Sequence, residues 1–251
     1  MASIKVIPVY ASMEGEITRH SGSIFQILAG KFLDTKLLAV HCCVLALVLY
    51  SFLSAILIYY FFEKTQSPEI LFVLLFAISS SLEVLRFILP LGRVYEIPSL
   101  YLLISSRIIL FGRFFGIFSL ATASVYAAGL KIQKQRNVAL IITVTTLIIV
   151  LGVPIDTQTW DSSLLMVNGY AAIFRLIEIG AFFVTTTSFF IVAWSRGSRE
   201  FAFIGTGAAL TFLGRNILLN AGTWAGLSGL LLLAIGTWLI CTRLHKIYLW
   251  L

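Results

Sequence analysis

The chain has 251 residues, of which 59% are hydrophobic and only 12% charged. Soluble domains carry about 25% charged residues, so a water-soluble fold is excluded, and the continuous apolar runs do not alternate as the strands of a membrane barrel do. The formal net charge of +7 does not imply a nucleic-acid partner, because many of the basic residues flank apolar runs or sit inside them.

Residues 1–35 are the long polar stretch. Within them Ile24, Phe25, Ile27, Leu28 and Phe32 fall near helical spacing, which admits an interfacial helix over 21–33, with a loosely ordered tail as the alternative. Residues 36–251 read as one all-α transmembrane domain, a polytopic helix bundle. Seven spans are expected, roughly 37–62, 70–91, 98–130, 138–155, 162–195, 201–221 and 223–243. A span needs about 20 residues, so the third and fifth are over-long and should tilt or project. Gly222 barely separates the last two, so six spans are the alternative.

The connecting loops are short, which makes sequential helices antiparallel neighbours. With the N-terminus outside and the C-terminus inside, the inner loops hold Lys64, Lys131, Lys134, Arg136, Arg196, Arg199, Arg243 and Lys246. That orientation satisfies the excess of Lys and Arg on the inner side. Tyr59, Tyr60, Tyr95, Tyr101, Trp160, Trp194 and Trp224 fall near the expected interfaces, as an aromatic belt does.

The chemistry lies in the charges within the spans. These are Arg86, Arg107, Arg113, Arg175 and Arg215, with Glu83 and Glu178 as the acids. Each charge at a helix centre costs roughly 2.5–3.5 kcal/mol on insertion scales. Glu83 and Arg86 are three residues apart, as are Arg175 and Glu178, so each pair shares a helix face. Helical rise places most of these groups in one layer between the midplane and the outer side, with Arg175 and Glu178 near the midplane. Arginine keeps its proton at any accessible pH, and two acids neutralise only two of the five. The surplus predicts an anion pocket for a carboxylate, a phosphate or a lipid headgroup, since the guanidinium fork matches such groups bidentately. Its expected ligands are Arg86, Arg107, Arg113, Arg175, Arg215 and Asn216, with Glu83 and Glu178 as charge partners. Interhelical clamps that fix packing are the competing reading.

Two further patterns bear on packing. Phe111-Gly112-Arg113 and Leu213-Gly214-Arg215 echo one another three spans apart, beside the Glu83/Arg86 and Arg175/Glu178 pairs, as inverted repeats of a transporter would. Gly112/Gly116 and Gly222/Gly226 match the small-xxx-small pattern of close helix packing, which admits a homodimer or a larger membrane complex. Gly226-Leu-Ser-Gly229 has the form of a serine-protease motif, but the in-span histidine is His41 on the first span, in the wrong order for a base. Cys42, Cys43 and Cys241 read as buried small hydrophobes. No enzyme activity, metal or cofactor is expected. The expected function is a multi-pass membrane carrier of an anionic solute or lipid, with a receptor signalling through a separate partner, or a structural subunit, as alternatives.

Overall fold

The structure, a computed structural model, describes residues 35–62, 67–88, 98–130, 132–160, 166–220 and 224–249. The tail with its expected interfacial helix over 21–33 lies outside them. Seven long helices follow in order: α1 (Thr35–Phe62), α2 (Pro68–Ser79), α3 (Ser99–Ala127), α4 (Gln135–Leu151), α5 (Ala171–Arg196), α6 (Arg199–Leu219) and α7 (Ser228–Leu249). Helix α2 continues without a break into a 3-10 segment, Ser80–Phe87. Counting that segment with α2, six helices among the described residues are long and apolar enough to cross a membrane, and α4, with 17 residues, is a shorter seventh. The chain thus has the helices of a multi-pass membrane protein. The doubtful span is α4, not the α6–α7 hairpin, whose two helices are separate and full-length.

Local chemistry sets several boundaries. Pro68 occupies the first turn of α2 with Glu69 beside it, where a missing N–H costs nothing and a carboxylate meets the helix dipole. Gly197 ends α5 in the left-handed conformation, φ 60°, which glycine adopts without steric penalty. The connection expected before span five and part of that span's first third form instead a short antiparallel hairpin, β1 (Ile155–Trp160) with β2 (Met166–Asn168). Span five is therefore shortened to the 26 residues of α5, still more than the roughly 20 that a span needs. The last span runs further than expected, to Leu249, so Arg243 and Lys246 are helical.

Six helices form a closed ring in the order α1, α2, α3, α5, α6, α7, and α4 packs on the outer side of α3. Phe72 and Phe76 of α2, Ile117 and Leu120 of α3, Phe189 of α5, Ile204 of α6 and Ile240 of α7 meet in the main core. The closest helix pair is α6 with α7. A Cβ on Gly214 would lie 2.6 Å from Gly229 O and from Leu233 N, and one on Gly236 would lie 2.6 Å from Gly207 O. Four glycines at seven-residue spacing thus let two backbones touch, the packing that small residues provide where lipid offers no hydrophobic drive. The glycine contact expected at Gly222 and Gly226 is replaced by this one; Gly222 lies outside the described residues, and Gly226 sits in a 3-10 turn before α7.

The two ends of the bundle differ. At the end where α6 begins and α7 finishes, Glu200 accepts from Arg243 at 2.9 Å and from Lys246 at 2.6 Å. Tyr248 and Ser67 donate to one oxygen of Glu69 at 2.6 and 2.7 Å, tying the end of α7 to the start of α2. Lys134, Arg136, Arg196 and Arg199 also lie on helices at this end. Tyr59, Tyr60 and Trp194 are exposed near it, and Tyr101 is exposed near the other, where amphipathic rings meet headgroups.

Candidate functional site

Three serines precede the site. Ser79 and Ser80 donate to Phe76 O at 2.7 and 3.3 Å, and Ser81 to Ile78 O at 2.7 Å. Such back-bonding competes with the α-helical ladder, and at Ser80 the helix tightens into eight residues of 3-10 helix. Runs beyond three or four residues of this form are uncommon, and side chains at i and i+3 eclipse within it. Glu83 and Arg86 stand at that spacing inside the segment, and Arg86 Nε lies 2.5 Å from Glu83 Oε2. The tightened backbone thus stacks the acid directly against the base.

Both residues are 1% exposed. The other oxygen of Glu83 accepts from Arg113 Nε of α3 at 2.8 Å, and Arg113 Nη2 reaches Oε2 at 3.5 Å. One buried carboxylate therefore bridges two arginines on two elements. Arg86 also donates from Nη1 to Leu219 O at the end of α6, at 3.4 Å. From the same helix comes Arg215, 3% exposed. It donates from Nη1 to Arg113 O and from Nη2 to Gly112 O, each at 3.2 Å, and its guanidinium lies 5.3 Å from the Phe76 ring centre, within range of a cation–π contact.

Glycine makes this approach feasible. A Cβ on Gly116 would fall 2.9 Å from Arg215 Nη1 and against Ser79 Oγ, and one on Gly112 would fall 2.9 Å from Ser79 O. The Gly112/Gly116 stripe is thus where the end of α2 and the Arg215 side chain are received by α3. The two echoing motifs of the sequence meet here, Arg215 of one bonding the backbone of Gly112 and Arg113 of the other.

The cluster borders a cavity of about 20 Å³ lined by Phe76, Arg113, Ile117, Glu178, Phe212, Arg215, Asn216 and Leu219. By this measure a site needs roughly 10–15 Å³ to hold one water, so the space takes one or two small polar species. Arg113 and Arg215 bring fixed positive charge to it. Half-buried Glu178 and exposed Asn216 bring an acid and an amide. Asn216 also bonds Asn220 through its side chain. The Nε of Arg215 is buried and has no hydrogen-bond partner, as is Nη2 of Arg86.

Arg86, Arg113, Arg215, Glu83, Glu178 and Asn216 are therefore brought together, and two expected members are not. Arg175 is exposed on α5, four residues after its first residue and so about 6 Å along it. It stands near the helix end and not at the midplane, because the hairpin takes the residues that had been expected to precede it in the span. Glu178, a turn further on, is likewise above the expected depth, yet it reaches the cavity wall. Arg107 precedes Arg113 by six residues, which places it about 9 Å along α3 and about 120° round it; it is half-buried, with Nε lacking a hydrogen-bond partner. Four side chains not anticipated, Phe76, Ile117, Phe212 and Leu219, form the apolar walls. Their only sequence signal was their place in apolar spans.

Among the described residues there is no cluster of His, Cys, Asp and Glu able to hold a metal ion. No protein-family model matches this chain, and no curated protein matches it in sequence.

Proposed function

We propose that this membrane protein is a small carrier or channel-like protein for an anionic solute or lipid headgroup, and that the cavity between α2, α3, α5 and α6 is its anion site. The observation that supports this reading is the charge balance at the cavity. Arg86 and Arg113 share a single fully buried carboxylate and Arg215 is held by backbone carbonyls beside them, with the partly exposed Glu178 as the second acid. Buried charge of one sign is retained in a membrane protein when it marks a ligand or ion path. The change of α2 from α to 3-10 helix within a span supports the same reading, since transporter sites are built on interrupted helices. In this function Arg113 and Arg215 hold the anion, Asn216 donates at the rim, and Glu83 fixes the direction of Arg113 and Arg86. Arg107 and Arg175 serve outside the site.

The experiment is anion efflux from proteoliposomes. Wild-type protein is expected to dissipate an imposed anion gradient faster than empty vesicles, and Arg113→Gln, shown to be folded, is expected to lose at least about tenfold of that rate, the loss of one charge-assisted ligand. One observation favours a second reading, a structural subunit of a membrane complex: each buried guanidinium already has a protein partner, Glu83 for Arg86 and Arg113 and two carbonyls for Arg215. Flux and binding equal to empty vesicles, in correctly folded protein, would decide for that subunit.

A further inference from the structure

We infer that the anion held by this site is a single monovalent ion of about the size of a water molecule, a halide such as chloride, and not a carboxylate, phosphate or lipid headgroup. The inference rests on the reading of the cavity as an anion site and narrows it. Three observations carry it.

The first is volume. The cavity of about 20 Å³ exceeds the roughly 10–15 Å³ that one water requires, so a single small ion fits among the donors of its wall. Apolar walls from Phe76, Ile117, Phe212 and Leu219 leave little polar contact for the several oxygens of a larger anion.

The second is charge. Arg113 and Arg215 line the cavity against Glu178, and behind them Arg86 pairs with Glu83, which leaves one formal positive charge that no described acid of the cluster meets. Arginine cannot discharge it by losing a proton. One monovalent anion brings the cluster to neutrality, whereas a dianion over-compensates beside two carboxylates.

The third is donor supply. The bidentate forks that would grip an oxyanion are already engaged. Arg215 gives Nη1 and Nη2 to carbonyls of α3, and Arg113 gives Nε and Nη2 to Glu83. What remains is the buried Nε of Arg215, which lacks a partner, the rest of the Arg113 guanidinium and the exposed amide of Asn216. Single donors spread around a small space suit a spherical ion, which has no directional lone pairs to satisfy.

The test is a chloride titration of the full-length protein in nanodiscs at constant ionic strength, with gluconate as the balancing anion and chloride-35 line broadening as the readout. Wild type should show a saturable site that bromide displaces and that phosphate and acetate do not. Glu178→Gln removes an acid from the cavity wall and should tighten chloride by at least about tenfold, and by up to about a thousandfold if the charge stands about 4 Å from the ion in a medium of effective dielectric about 20. Asn216→Ala should weaken it a few-fold. Because Glu178→Gln predicts a gain, it remains informative where arginine variants fail to fold. Displacement of chloride by phosphate or acetate at equal concentration would overturn the halide assignment and leave the anion site standing. Absence of saturable binding by any of these anions, in wild type and in Glu178→Gln, would overturn both. An affinity unchanged in Glu178→Gln would place the ion elsewhere and overturn the inference.

Discussion

Replacing Glu83 with Gln keeps the shape of the side chain and removes the one fully buried carboxylate of the site. Its oxygens lie 2.5 Å from Arg86 Nε and 2.8 Å from Arg113 Nε. With an effective dielectric of about 20, each contact is worth about 6 kcal/mol of Coulomb attraction. Desolvating three ions costs several kcal/mol apiece, so the net worth of the triad is far smaller than the sum of its attractions. What the substitution exposes is the cost of leaving Arg86 and Arg113 buried without a counter-charge, about 3–5 kcal/mol when one partner of a buried pair is removed. Unfolding in mixed micelles, followed by the fluorescence of the five tryptophans, measures this against Glu178→Gln. That control removes a half-buried acid and should cost no more than about 1 kcal/mol. A double-mutant cycle with Arg113→Gln should return a coupling of about 1–3 kcal/mol, the two losses being less than additive. Glu83→Gln within about 1 kcal/mol of Glu178→Gln would refute the reasoning, because it would mean that water or backbone already solvates the two arginines.

Gly214→Ala should destabilise by about 1–3 kcal/mol, since its Cβ meets backbone atoms of α7 at 2.6 Å that cannot swing aside; unfolding in micelles checks it, and a neutral result would mean that α6 and α7 are not in contact. Tyr50→Phe removes the 2.6 Å bond to Thr237 and should cost about 1 kcal/mol, measured in the same way. Arg175→Gln should change stability by less than about 0.5 kcal/mol and leave anion binding unaltered, because the residue is exposed; a loss of binding would return Arg175 to the site. Glu200→Ala should cost only about 0.2–1 kcal/mol, less at high salt, as partly exposed ion pairs do, despite its two short contacts with Arg243 and Lys246.

What could be read from the sequence follows from the range of each interaction. Glu83 and Arg86 were legible as a pair because they are three residues apart, but the conversion of the helix to 3-10 form after Ser79 was not. Arg113 and Arg215 were legible as costly charges, but the shared Gly-Arg pattern was read as a repeat and not as a contact between them. Their common geometry depends on Gly116 leaving space beside Arg215, a contact across elements that no local spacing encodes. Arg175 was misplaced because the run around Met166 and Val167, a strand in the fold, reads equally well as helix or strand, the ambiguity of any short apolar run. The packing of α6 on α7 was missed because a four-residue glycine spacing was sought where the glycines recur every seven. Tyr248 with Glu69, 179 residues apart, and Tyr50 with Thr237, 187 apart, were beyond any reading along the chain.

The central claim is that the buried arginine surplus is met by an anion. The most direct measurement is anomalous diffraction from crystals grown in bromide and, separately, in selenate. A peak between Arg113, Arg215 and Asn216 is the predicted result, in bromide but not in selenate if the ion is a halide. Neither salt giving a peak at a cavity filled by water alone would contradict the account.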